Sequence, residues 1–73
     1  MLKTDEFSNP TSCLNKARPN ERLFVLLSRD ATAPDVIRYW VRKRIWMGKN
    51  KAEDPQIVEA LECARLMEEE RQA

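Results

Sequence analysis

The sequence predicts a mainly helical α+β fold: one short β-strand followed by an antiparallel two-helix hairpin, assembled as a homo-oligomer. Three observations predict it. Leu23–Leu27 is a continuous apolar run, too short for a helix and rich in strand formers. Two helix-start signals, Thr32-Ala33-Pro34-Asp35 and Asp54-Pro55, each open a stretch of helical period, with Gly48 between them. At 73 residues the chain is near the lower size limit for independent folding, where one core supplies only a few kcal/mol. A second copy is therefore expected to cover what a single chain leaves exposed.

Residues 1–21 read as a flexible N-terminal arm, and residues 22–73 as the strand plus helical hairpin domain. The arm is polar, contains Pro10 and Pro19, and shows no apolar period. Leu2, Phe7 and Leu14 stand alone in it. The run Leu23–Leu27 is expected as a strand buried on both sides, paired with the arm or with the same strand of another copy, because a lone strand is unstable. The first helix is expected from about Thr32, as its cap, to about Met47, where Gly48 supplies the left-handed turn that ends helices. The second is expected from Pro55, capped by Asp54, toward Glu70. Ile57, Ala60, Leu61, Ala64 and Met67 form its apolar stripe, and Val36, Ile37, Trp40, Val41 and Met47 form the matching side of the first helix. Arg44 interrupts that side and is expected to reach outward or to find a carboxylate, and Cys63 is expected as a small packing residue.

Composition removes several functions. The chain has no histidine, hence neither the commonest general base at neutral pH nor the commonest metal ligand. Cys13 and Cys63 cannot complete a tetrahedral zinc site and are expected as reduced thiols in a cytoplasm, since nothing near Met1 resembles a secretion signal. No apolar run approaches the roughly 20 residues needed to cross a bilayer. The expectation is a non-enzymatic protein without metal, cofactor or membrane span. The net charge of +1 conceals an asymmetry: every charge from Val36 to Ala52 is positive, whereas carboxylates dominate from Glu53 onward. Such segments favour pairing within the chain or between copies.

The feature least explained by folding is a second face of the first helix. Tyr39, Arg42, Lys43 and Trp46 recur at helical spacing, away from the apolar stripe. Two aromatic planes interleaved with two cations can stack a base and donate to phosphate oxygens. The competing reading is a subunit interface, where aromatics and Arg are also enriched. Arg29, between strand and helix in Ser28-Arg29-Asp30, is a further candidate to clamp a phosphate or carboxylate through paired hydrogen bonds. The alternative there is that Asp30 pairs with Arg29 or caps the turn. Gly48-Lys49-Asn50-Lys51 lacks the upstream glycine of a phosphate-binding loop, and Glu68-Glu69-Glu70 reads as a solvated helix end rather than a metal site.

The stretch Leu23–Pro34 (LFVLLSRDATAP), followed by Trp40 and then by a helix such as Ile57–Met67, resembles small bacteriophage and prophage proteins. The shared pattern is a strand ending in an aspartate, an Ala-Pro helix start and a tryptophan six residues on, and it covers about the C-terminal two-thirds of the chain, leaving the arm unmatched. The resemblance brings no activity with it. It implies a phage setting, hence the host cell cytoplasm, where small non-structural phage proteins often antagonise host defence. The function expected is a homo-oligomeric protein that sequesters an anionic small molecule or nucleotide through Arg29, Tyr39, Arg42, Lys43 and Trp46. The alternative is a protein-binding inhibitor of a host factor. Extended nucleic acid is disfavoured as a partner, because the acidic second helix cancels the field that a phosphate backbone requires.

Overall fold

A computed structural model describes residues 1–72; Ala73, the last residue of the expected C-terminal domain, lies outside the described residues. The described residues form four helices: α1 (Lys3–Ser8), α2 (Cys13–Lys16), α3 (Ala33–Trp46) and α4 (Pro55–Gln72).

The two long helices start and stop where local chemistry directs. Ala33 and Pro34 open α3, where a missing proline N–H costs nothing, and Asp35 lies in its first turn. Lys43 and Arg44 lie in its last turn, facing the negative end of the dipole. The helix then ends in a Schellman motif. Gly48 adopts φ +72°, its amide donates to the Ile45 carbonyl, and the Lys49 amide donates to the Arg44 carbonyl, both at 3.0 Å.

The caps differ from expectation in one respect each. Thr32 makes no side-chain bond to the helix start; its own amide and hydroxyl donate to the Asp30 carboxylate at 2.9 and 2.7 Å. Asp30 therefore organises the entry to α3, and this Asx turn supersedes the expected Thr32 cap. Asp54 likewise turns its carboxylate upstream, accepting from the Lys51 amide and from Asn50 Nδ2 at 2.9 and 3.0 Å. Asn50 Oδ1 accepts in turn from Arg44 Nε at 2.7 Å. Arg44 thus finds an amide rather than a carboxylate, and the loop between α3 and α4 is laced from side to side.

The hairpin buries a small core. Val41, Ile57 and Ala60 pack together with Ile37 against them, and Ala33, Pro34 and Ala64 are also buried. Small alanines on α4 let α3 approach closely. The helices run antiparallel: Arg38, near the start of α3, reaches Glu68, near the end of α4. That contact realises within one chain the pairing of basic and acidic segments. Of the other residues of the expected stripes, Val36, Trp40, Met47 and Leu61 are exposed and Met67 is half-buried.

The expected α+β class is corrected. Among the described residues there is no strand, and residues 21–27 are irregular chain that joins no ladder. The physical reason is the absence of a partner: a strand exists only in a ladder, and this chain offers no second one. Leu23, Phe24 and Val25 face outward instead.

The N-terminal arm contains two helices that the sequence reading did not anticipate. Ser12 caps α2, its Oγ accepting from the Asn15 amide at 3.2 Å and donating to the Glu6 carbonyl at 2.6 Å. Asn15 Nδ2 donates to the carbonyls of Glu6, Phe7 and Asn9. These bonds hold α2 against α1. Neither short helix packs closely on the hairpin.

Candidate functional site

Periodicity alone places Tyr39, Arg42, Lys43 and Trp46 on one side of α3, because offsets of three, four and seven residues return to the same face. The fold then leaves that face uncovered, since α4 packs on the opposite side through Val41 and Ile37. The four side chains line a single shallow depression of about 390 Å³. Trp46 is 80 % exposed and Tyr39 60 % exposed, so both rings are accessible from solvent. Lys43 Nζ lies 5.1 Å from the centroid of the Trp46 ring, within cation–π range.

The cations of α3 divide into two sets. Arg38 is engaged by Glu68 and Asp35, and Arg44 by Asn50 while its guanidinium lies 5.6 Å from the Trp40 ring centroid. Among the described residues Arg42 and Lys43 have no carboxylate partner. Their donors remain available to an anion beside two aromatic planes. This division follows from position: Arg38 points toward acidic α4, whereas Arg42 and Lys43 point away from it.

Arg29 does not line this depression. It lies exposed in the turn before α3, with no ion pair among the described residues. Its neighbour Asp30 is committed to the turn. The hydroxyl and amide of Thr32 hold the Asp30 carboxyl below the ordinary carboxylate range, with the Arg71 charge adding a minor contribution.

A second concavity, of about 1450 Å³, separates the N-terminal arm from α4. Leu2, Trp40, Val58, Leu66 and Met67 contribute apolar lining. Sequence reading missed it because its walls come from segments far apart in the chain, none carrying a motif. Both free cysteines, Cys13 and Cys63, line it. Among the described residues no group of three or more cysteines and carboxylates is placed to hold a metal ion. No helix of the described chain is long and apolar enough to cross a membrane.

No family model, curated protein or solved structure matches this chain.

Proposed function

We propose that this chain is a non-enzymatic, homo-oligomeric binding protein that holds an anionic, nucleotide-type ligand on the outward face of α3. The observation that carries the reading is the single depression lined by Tyr39, Arg42, Lys43 and Trp46, with the Lys43 ammonium beside the Trp46 ring. In this reading Trp46 and Tyr39 stack a base, and Arg42 and Lys43 donate to phosphate oxygens. One helix face is too open to enclose a ligand, so a neighbouring subunit closes the site, and Arg29 joins it from that neighbour. In the phage setting implied by the sequence pattern, such binding sequesters a signalling nucleotide and so antagonises host defence.

Calorimetry against mono-, di- and cyclic nucleotides at low salt tests this. Saturable binding that is lost in both Lys43→Ala and Trp46→Ala supports it, and silence across the panel overturns it. A protein-binding inhibitor of a host factor is the second reading, favoured by the shallowness of the face and its Tyr, Trp and Arg content. A pull-down from host lysate separates the two: a stoichiometric protein partner favours inhibition, whereas a heat-released small molecule favours sequestration. Binding of extended nucleic acid would weaken steeply with salt, and a flat salt response excludes it.

A further inference from the structure

We propose that the concavity between the N-terminal arm and α4 receives the exposed apolar segment Leu23–Val25 of a second copy of this chain. The inference concerns a surface separate from the α3 face and does not rest on the ligand reading.

The single chain carries more bare surface than its size requires. The accessible surface is 6262 Å², whereas surface-to-mass scaling for a compact monomer of this size gives about 4,700 Å². The radius of gyration is 12.9 Å, against about 11 Å for a compact chain of this length. The surplus of roughly 1,500 Å² falls within the range that one partner buries in an obligate interface.

The most exposed large apolar side chain lies in the run Leu23–Leu27. Phe24 is 86 % exposed, the highest value among the large apolar side chains, with Val25 and Leu23 on either side also open. This is a protrusion. The concavity is larger than a typical small-molecule pocket of about 300–1,000 Å³, which directs attention to a polypeptide occupant. Leu26 and Leu27 line the concavity of their own chain, while Leu23, Phe24 and Val25 do not. One end of the run thus serves its own concavity and the other end is presented outward.

The two surfaces also differ in charge. Asp5, Glu6, Glu59, Glu62 and Glu70 line the concavity, against Lys3, Lys16 and the amino terminus at Met1, with Glu62 already paired to Arg65. The protruding segment is preceded by Arg18, Glu21 and Arg22, a net single positive charge, and neither arginine has an ion pair among the described residues. A cationic apolar segment therefore complements an acidic apolar receptor. The same carboxylates disfavour a face-to-face pairing of two α4 helices, because like charges would meet.

Protrusion and receptor are different surfaces, and this yields a complementation test by native mass spectrometry and sedimentation at micromolar concentration. The wild-type chain is expected to form a multimer. Phe24→Asp and Leu66→Arg should each weaken self-association at least about thirtyfold, the effect of losing an aromatic or apolar anchor. Both should keep their helical circular dichroism, because both positions are partly or largely exposed in the single chain. An equimolar mixture should form a heterodimer, since one intact protrusion then meets one intact receptor. If Leu66→Arg fails to fold, Val58→Arg, at a more exposed position of the same wall, takes its place. A monomeric wild-type chain, undiminished association of Phe24→Asp, or a mixture that stays monomeric would each overturn the proposal.

Discussion

Around Ile57 the chain is dry, with Ile57, Ala64 and Ala33 fully enclosed, whereas within residues 1–21 Ser12 alone is buried and Leu2 and Phe7 remain mostly exposed. The hairpin is held by apolar burial, closed by a loop that side chains lace together. The N-terminal arm is held by a few side-chain-to-backbone hydrogen bonds centred on Ser12 and Asn15, each contributing about 1 kcal/mol net. Burial is cooperative because each side chain depends on its neighbours, while isolated hydrogen bonds open singly. The difference implies two regions of unequal local stability.

The largest effect is expected at Ile57. Ile57→Ala leaves a hole that α3 can close only partly, and should cost about 2–5 kcal/mol by urea denaturation. Amide exchange within α1 and α2 should stay unchanged at low denaturant. Loss of protection there at the same time would show that both regions unfold as one.

Gly48→Ala should cost about 1 kcal/mol. A Cβ added there meets nothing within 4 Å, so the whole effect comes from the left-handed backbone at φ +72°. A thermal melt should move down by about 4–8 °C. No shift would mean that the Schellman turn is not what ends α3.

Asn15→Ala is expected to act on the arm alone. Removing the side-chain donor to Glu6, Phe7 and Asn9 should weaken α2 by about 1 kcal/mol, seen as faster amide exchange at Lys16 and Ala17. The melt of the hairpin should not move.

The smallest effect is the pH dependence. The Arg38 hydrogen bond holds the Glu68 carboxyl below its usual 4.5, and Arg65 does the same for Glu62. Because these values are depressed in the folded chain, their stabilisation is complete above about pH 4.5 and is lost as the pH falls through the lowered values. Glu68→Gln should flatten the acid limb of a stability-versus-pH curve, and an unchanged limb would remove the interhelical pair as its source.

The legible parts of this fold are those fixed by short-range chemistry. Pro34, Gly48 and Pro55 punctuate the hairpin wherever they occur, and Ile57, Ala60 and Ala64 recur at a spacing that can only be one helix face. The illegible parts depend on what lies opposite. Leu23–Leu27 has the composition of a strand, but composition supplies no partner, and the segment remains irregular. Helices α1 and α2 have no apolar period to betray them, although Ser12 is an N-cap residue that periodicity overlooks. The candidate site divides in the same way. Tyr39, Arg42, Lys43 and Trp46 are brought together by helix geometry, while Arg29 sits in a turn whose direction no spacing rule specifies.

The two indoles of α3 occupy unlike surroundings only six residues apart. Trp46 stands in solvent beside the Lys43 ammonium, whereas Trp40 lines the concavity below the Arg44 guanidinium. Trp46 is 80 % exposed against 37 % for Trp40, so a quencher in solvent reaches it more readily. Iodide, drawn by Arg42 and Lys43, should extinguish Trp46 first, and the spectrum that survives belongs to Trp40. The native chain thus carries an optical reporter at each of its two open surfaces, and needs no attached dye to distinguish which one has been occupied.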